Sequence, residues 1–170
     1  MNLKDLLKNR YSVRNYLSRE VEAEKIDYIL QCARLAPSAC NFQPWFFYVI
    51  TDERMKQGVQ KSYDRIWFKE APLYIVVCKC DQQSWKRKDG KDFGDVDAAI
   101  VAEHICLATA EKGLGTCWVC NFDSAILIES IGIPQEQEPI AVFPIGYIDE
   151  EKSKAPEKKR KSLQEITKFI

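Results

Sequence analysis

Hydrophobic residues recur along this chain at two different spacings, and each spacing predicts a different element. Ile26, Ile29 and Leu30 lie on one side of a helix that we predict for residues 22–35, with Pro37 ending it. The segment 73–80 is almost continuously apolar and rich in β-branched residues, which is typical of a strand buried on both faces. The same rules predict further helices at 2–9, 52–66, 123–131 and after Ser162, and further strands at 46–51, 116–120 and 139–147.

The segment 95–112 differs from the other predicted helices, because apolar residues surround most of its circumference. A helix of this kind lies in the centre of a core or in a subunit interface. The polar, lysine-rich stretch 82–94 before it predicts an exposed loop. The irregular order of helices and strands predicts one α+β domain over residues 1–170, in which helices flank a mostly antiparallel central sheet.

The bulk composition excludes several classes of protein. The chain has 170 residues, and its 25 lysines and arginines balance 25 acidic residues, so no bulk charge favours nucleic acid or an anionic membrane. No apolar run approaches the roughly 18–20 residues of a spanning helix, and the first residues lack the apolar core of a signal peptide. Seven cysteines, an odd number, favour free thiols. We therefore expect a cytoplasmic protein.

A compact group of anion donors follows the first predicted helix. In an extended backbone, Arg10, Ser12 and Arg14 point to the same side, because side chains alternate along a strand. Two guanidinium groups and a hydroxyl suit a phosphate, whose oxygens match the arginine fork. From this segment alone, solvated surface arginines are an equally good interpretation.

A second group of polar residues lies in the loop between the helix at 22–35 and the next strand. Ser38, Asn41 and Gln43 offer hydroxyl and amide groups that can both donate and accept hydrogen bonds. Such groups suit the edge of a planar heterocycle. An ordinary capped turn explains them equally well, since proline and asparagine are common in turns.

Five segments of the chain form a recognisable series in their order and spacing: Arg10-Tyr11-Ser12-Val13-Arg14, the loop 36–45 with Pro37-Ser38-Ala39-Cys40-Asn41-Phe42-Gln43, Gly113-Leu114-Gly115-Thr116-Cys117-Trp118, Pro144-Ile145-Gly146-Tyr147 and Lys158-Lys159-Arg160-Lys161. With these segments the chain resembles the nitroreductase family of FMN-dependent oxidoreductases almost from end to end.

The resemblance implies a cofactor site for FMN. Phosphate and ribityl contacts fall on Arg10, Tyr11, Ser12 and Arg14, and a second phosphate clamp falls on Lys158 and Arg160. The segment beside the isoalloxazine ring comprises the backbone of Pro37, Ser38 and Ala39 with the side chains of Asn41 and Gln43. A backbone N–H at Cys120-Asn121 matches the approach to flavin N5, although the family often has glycine there.

The resemblance also implies the activity. A family member of this kind passes hydride from NAD(P)H through the flavin to a small acceptor, such as a nitroaromatic, a quinone or a free flavin, in a ping-pong cycle. The flavin performs the redox chemistry, so no catalytic side chain is expected. No G-x-G-x-x-G follows a predicted strand, so we expect no separate Rossmann site for the nicotinamide. A homodimer with FMN in clefts at the subunit interface is the implied assembly.

Other interpretations remain open at this point. The chain could be a non-catalytic module that stores or senses flavin, or a thiol-redox or zinc protein that uses Cys117 and Cys120. Against the zinc interpretation, both cysteines lie in a predicted strand and would face opposite sides. His104 lies in mid-helix, where a hydrogen-bonded core or interface histidine is expected rather than a catalytic base. Trp67, Trp85 and Trp118 could either line a substrate face or anchor packing.

Overall fold

The computed structural model describes residues 2–170. Its helices are α1 (Leu3–Asn9), α2 (Ala23–Arg34), α3 (Glu53–Ser62), α4 (Ile66–Lys69), α5 (Gly94–Glu111), α6 (Ser124–Ile131) and α7 (Leu163–Ile166), with a 3₁₀ turn at Ala39–Asn41. Its strands are β1 (Trp45–Ile50), β2 (Leu73–Cys80), β3 (Gly115–Thr116) and β4 (Gln137–Gly146). Among the described residues, no helix is long and apolar enough to cross a membrane.

The strands form one antiparallel sheet in the order β1-β2-β4-β3, with helices on both faces. Alternate residues of β2 contribute to two cores: Leu73, Ile75 and Val77 pack with α2 and α5, whereas Tyr74, Val76 and Cys78 pack with residues of α3, α4 and α6. A strand covered on both faces needs apolar residues at every position, which explains the continuous apolar run. The predicted α+β class and the antiparallel sheet are confirmed.

Capping residues begin three helices where the sequence predicts. The Asp52 carboxylate accepts the Met55 N–H at 3.0 Å, and the Asp123 carboxylate accepts the Ile126 N–H at 3.0 Å. Ser162 and Glu165 form the predicted capping box at the start of α7. Each cap satisfies an N–H that has no partner inside its helix.

Two predicted elements are wrong in extent. Of the strand predicted for 116–120, only Thr116 lies in a strand of the structure. Beyond it, a single isolated bridge pairs Val119 with Val142 of β4. Continuing the register of β3 on β4 would set Cys117 opposite Pro144, which has no N–H to donate to the ladder. The helix predicted for 52–66 ends at Ser62, whose carbonyl oxygen accepts the Asp123 N–H at 2.7 Å. The chain is extended at Tyr63 and turns again in α4.

Helix α5 lies against the sheet and against α2, as its apolar circumference predicts. One stripe of it is nevertheless incompletely covered: Val96 and Ala99 are exposed, and Ile100, Glu103 and Leu107 are half-buried. These positions follow helical spacing. The part of the chain that the structure describes therefore leaves one side of its central helix open.

Candidate functional site

The segment that contains Arg10, Ser12 and Arg14 runs alongside β3. Ser12 forms a bridge with Thr116, and the Val13 N–H donates to the Thr116 carbonyl at 3.0 Å. Val13 is buried, and a Cβ on Gly115 would lie only 2.7 Å from its side chain, so this close approach requires glycine. The segment is therefore extended and pinned beside the end of the sheet.

All three polar side chains reach the surroundings of one thiol, Cys117. Burial raises the pKa of that thiol, while the charges of Arg14 and Arg10 and a hydrogen bond with Ser12 oppose the rise. All three groups influence one sulfur, although Arg10 lines one surface hollow and Ser12 and Arg14 line another.

The C-terminal tail adds a second set of cations to this place. The Lys158 ammonium donates to the carbonyl oxygen of Leu7 at 2.5 Å, at the C-terminal end of α1, where a cation is favoured. Burial lowers the pKa of Lys158, and the nearby charges of Arg10 and Arg160 lower it further. We call Arg10, Lys158 and Arg160 the basic cluster.

Only one acid compensates this cluster among the groups that shift the pKa of Lys158. Glu103, half-buried on α5, raises that pKa and also contributes to the raised pKa of Cys106, after the dominant effect of burial. Like charges that are held close together repel one another, and a bound anion would offset this repulsion. The cluster therefore has the electrostatics of an anion site.

Arg14 lines a small cleft of about 110 Å³, to which the basic cluster does not contribute. The cleft also contains Cys120 and Asn121, so the structure joins the predicted phosphate segment to the predicted N5 segment. Its walls include three aromatic side chains, Tyr63, Trp67 and Trp118, and the Arg14 guanidinium carbon lies 5.7 Å from the centre of the Trp67 ring. Aromatic side chains with one cation at the edge suit contact with part of a planar ring, since about 110 Å³ is less than the roughly 300–1,000 Å³ of a pocket that encloses a whole ligand.

The 37–43 loop holds an unusual backbone conformation. Cys40, Asn41 and Gln43 all have positive φ values, of 51°, 56° and 52°. Local hydrogen bonds support this shape: Ser38 Oγ accepts the Gln43 N–H at 2.9 Å, and the Gln43 amide donates to the Asn41 carbonyl at 3.2 Å. Strain of this kind is concentrated at functional sites. The Asn41 and Gln43 side chains are exposed at the surface of the chain.

A single copy of the chain does not bring the loop and the basic cluster to one place. The loop is hydrogen-bonded to Asp97 on α5, whereas the charge of Arg10 is close enough to Cys106 of the same helix to lower the pKa of that thiol. These two positions are about two and a half turns apart, so they lie on opposite sides of the helix and about 13 Å apart along its axis. The two ends of the predicted flavin site therefore lie at separate surfaces.

A family comparison agrees with the motifs. Residues 7–67 and 57–147 match the model described as the Nitroreductase family. The chain belongs to the nitroreductase family.

Individual relatives extend over most of this nitroreductase-family chain. A protein of Methanothermobacter thermautotrophicus with the provisional name NADH dehydrogenase/NAD(P)H nitroreductase is 34% identical over 152 residues, which cover 86% of this chain and 78% of that protein. An iodotyrosine deiodinase of Thermotoga neapolitana is 26% identical over 180 residues, covering 91% and 92% of the two chains.

Solved structures give the same result for the fold. A nitroreductase family protein from Clostridium difficile 630 superposes with a TM-score of 0.90 at 38% identity, over 99% of this chain and 98% of that one. An FMN-dependent nitroreductase from Clostridium difficile R20291 gives a TM-score of 0.77 at 32% identity, over 91% and 92%.

Sequence reasoning on this nitroreductase-family chain missed Asp97 and the carbonyl of Leu7. Asp97 resembles any acid in the first turn of a helix, where it complements the helix dipole. Its position among the apolar residues Val96, Ala98 and Ala99 is the signal that could have identified it. A backbone carbonyl leaves no trace in the sequence, so the contact of Leu7 with Lys158 could not have been found.

The thiols and the histidine have structural surroundings. Cys117 is buried and Cys120 is exposed, with its sulfur accepting the Trp118 indole N–H at 3.0 Å. All seven cysteines are free, and within residues 2–170 no group of histidine, cysteine and acidic side chains is arranged to hold a metal ion. His104 Nδ1 lies 3.0 Å from the Cys32 carbonyl oxygen, which confirms the predicted hydrogen-bonded histidine. Trp85 packs edge-on against Phe93 within the 82–94 loop, away from the cleft.

Proposed function

We propose that this chain is an FMN-dependent oxidoreductase that takes hydride from NAD(P)H and passes it to a small acceptor. The observation that carries the proposal is the meeting of Arg10, Lys158 and Arg160 from the two ends of the chain, next to the aromatic cleft that Arg14 shares with Asn121. Relatives named as NAD(P)H nitroreductase and as FMN reductase support the same activity.

The phosphate end of FMN fits the basic cluster. The two guanidinium groups of the cluster lie close enough to the Lys158 ammonium to lower its pKa, and one half-buried acid, Glu103, opposes them. Arg10 and Arg160 would bind phosphate oxygens through paired N–H groups, and Lys158 would act as a point charge. Ser12, whose backbone is fixed beside Thr116, would add a hydroxyl donor. Tyr11 lines the adjacent hollows on both sides of this segment.

The ring end requires groups that bind a planar heterocycle and favour its reduced, anionic form. When bound, FMN supplies the hydride acceptor and donor chemistry. The Arg14 guanidinium would place a positive charge beside the ring, and the backbone at Cys120-Asn121 would offer an N–H at the opposite edge of the cleft. Asn121 is exposed and needs no glycine-like conformation, since its φ is not positive.

A homodimer would complete the site. The 37–43 loop and the basic cluster lie on opposite sides of α5 in one chain, so a second copy offers the means to bring a loop to a cluster. The uncovered stripe of α5 and the apolar residues of the C-terminal tail supply surface for such a contact. The exposed apolar residues of the tail are Leu163, Ile166, Phe169 and Ile170.

An anaerobic titration tests the proposed activity. The purified protein should bind FMN, and either NADH or NADPH should bleach the bound flavin when oxygen is absent. A panel containing a nitroaromatic, a quinone, free FMN and an iodinated tyrosine should then restore the colour at different rates. Iodotyrosine is included because of the deiodinase relative. A protein that takes up no FMN would contradict the whole proposal.

A binding module without activity is the second candidate, and the same titration separates it. Flavin that is bound but not bleached by either nicotinamide would leave only storage or sensing. The thiol alternative has its own test. Replacing both Cys117 and Cys120 by serine should leave the rate of flavin reduction by NAD(P)H largely unchanged, as measured by stopped-flow absorbance. Loss of hydride transfer with FMN still bound would show that a thiol participates.

A further inference from the structure

One buried carboxylate on α5 is not accounted for by packing. Asp97 is only 2% exposed, and it lies in the first turn of the helix. Its Oδ1 accepts the N–H of Ala39 at 2.9 Å. Its Oδ2 is also buried and has no hydrogen-bond partner among the described residues. A buried acceptor without a partner costs free energy, so its retention calls for a reason other than stability.

Within residues 2–170, the bond from Asp97 is the long-range hydrogen bond of the 37–43 loop, and the Gln43 carbonyl also accepts the N–H of the adjoining Trp45 in β1 at 2.8 Å. The other hydrogen bonds of the loop are internal or local, such as Asn41 N–H to the Ser38 carbonyl and Phe42 N–H to the Ala39 carbonyl. A loop with three non-glycine residues at positive φ relaxes unless its surroundings hold it. The Asp97–Ala39 bond enters this loop directly before the first strained residue, Cys40.

We propose that Asp97 is a positioning residue of the flavin site, whose carboxylate holds the 37–43 loop in its left-handed conformation and so sets Asn41 and Gln43 against the isoalloxazine ring. Asp97 touches no cofactor and acts through Ala39. This inference rests on the proposed function, because it assumes that the loop meets flavin.

Three variants test the bond from both of its ends. Asp97→Ala removes the acceptor, and Ala39→Pro removes the N–H donor without changing Asp97. Ser38 is already extended, with φ −141° and ψ 162°, which is the conformation that a following proline requires. Asp97→Asn keeps one acceptor oxygen for the Ala39 N–H. Thr109→Val is the matched control: Thr109 is fully buried on the same helix and its hydroxyl is likewise unpaired, but it does not bind the loop.

The binding of FMN and of riboflavin is measured by quenching of flavin fluorescence. Asp97→Ala and Ala39→Pro should each lower the affinity for FMN and for riboflavin by the same factor, roughly tenfold. The two factors are equal because the loop would contact the ring, which both flavins have, and not the phosphate. In the double variant that carries Asp97→Ala and Ala39→Pro, flavin affinity should fall by the same factor as in either single variant and not by its square, because both changes break the same hydrogen bond. Asp97→Asn should recover most of the affinity, and Thr109→Val should bind as the unaltered chain does. If Asp97 had a purely structural role, Asp97→Ala and Thr109→Val would lower the melting temperature by similar amounts, and the differences in flavin affinity among the variants would not appear.

Hydrogen exchange of the Ala39 amide gives a measurement that needs no cofactor. The amide should be protected in the cofactor-free protein and in Asp97→Asn, and should exchange at least tenfold faster in Asp97→Ala. The inference would be overturned if Asp97→Ala showed unchanged exchange of the Ala39 amide and the same flavin affinity as Thr109→Val. A loss of affinity for FMN without a loss for riboflavin would overturn it as well. If Asp97→Ala does not fold, Ala39→Pro and Asp97→Asn decide by the same criteria. A native chain that binds no flavin while Ala39 stays protected would count against the proposed function and against any flavin role of Asp97, yet would leave the bond itself established.

Discussion

The two ends of the candidate site are built in opposite ways. The phosphate end is made of long cationic side chains from segments at the two ends of the chain, and none of these residues has a positive φ value. The loop at the proposed ring end, residues 37–43, has no charged side chain, but its backbone has positive φ values at three positions. In the proposed site, charge would bind the phosphate at one end, and the conformation of the loop would present amide groups to the ring at the other.

This difference determines what each end can tolerate. A cationic cluster binds through Coulomb attraction, which changes gradually with distance and with the number of charges. A strained loop depends on the single conformation that presents its amide groups, and the bond to Asp97 adds to the local hydrogen bonds that support this conformation. We therefore expect the phosphate end to respond to charge, pH and salt, and the ring end to respond to backbone substitutions.

The largest expected effect comes from removing a charge at the phosphate end. Arg10→Ala should weaken FMN binding by about 1.5–3 kcal/mol, the range for hydrogen bonds to charged groups, which is roughly 10- to 100-fold. Riboflavin has no phosphate, so its affinity should stay the same. Fluorescence titration of both flavins measures the contrast. Arg34→Ala, an exposed arginine on α2 outside the candidate site, is the control. Equal losses for both flavins would place Arg10 at the ring instead.

The next effect is a dependence of FMN affinity on pH. The pKa of Lys158 is lowered in the cofactor-free fold by burial and by Arg10 and Arg160, and a bound phosphate would raise it again. FMN affinity should therefore be constant below the lowered pKa and should fall as the pH rises above it. The unfolded chain retains that proton to higher pH, so the free energy of unfolding of the cofactor-free protein should rise over the same interval.

Titrations at several alkaline pH values measure this dependence. In Lys158→Arg the charge persists, so the decrease in FMN affinity should disappear. Riboflavin corrects for ionisation of the ring itself, because it carries the same ring. A decrease that is identical in Lys158→Arg and in the unaltered chain would mean that Lys158 does not face the phosphate.

The smallest effect concerns the strain of the loop. Cys40 lies in the left-handed region at φ 51° and ψ 21°, where a side chain costs about 1 kcal/mol and glycine does not. Cys40→Gly should raise the free energy of unfolding by up to about 1 kcal/mol in chemical denaturation of the cofactor-free protein. The matched control is Gln57→Gly, at an exposed position inside α3, which should lower it by about 0.5–1 kcal/mol. A lower stability in both variants would show that the loop stores no such strain.

Much of the fold could be predicted from local pattern. The bounds of β2 and the caps at Asp52, Asp123 and Ser162 are confirmed, because a doubly buried strand and a capped helix each leave a compact signal in the sequence. The errors at 116–120 and at 62–66 have one kind of cause. Pro144 lies on another strand and Asp123 on another segment, and each decides where its distant partner stops.

The candidate site shows the same division. Period-two alternation predicts that Arg10, Ser12 and Arg14 share a side, and all three influence the pKa of Cys117, but Arg10 lines one surface hollow and Ser12 and Arg14 line another. The assignment of these residues, of the 37–43 loop and of Lys158 and Arg160 to FMN stays a prediction, with the tests above to decide it.

The sequence by itself determined the α+β class, the family and the residue types of both ends of the site, because periodicity, caps and motifs are properties of neighbouring residues. Only the tertiary structure decided that Lys158 lies at the end of α1 near Arg10 and that Arg14 shares a cleft with Asn121. It also decided that the buried Asp97 accepts a hydrogen bond from Ala39 in the 37–43 loop. Those contacts join residues that are far apart in the chain. They exist because the sheet and α5 bury apolar surface first, and packing then fixes which distant groups meet.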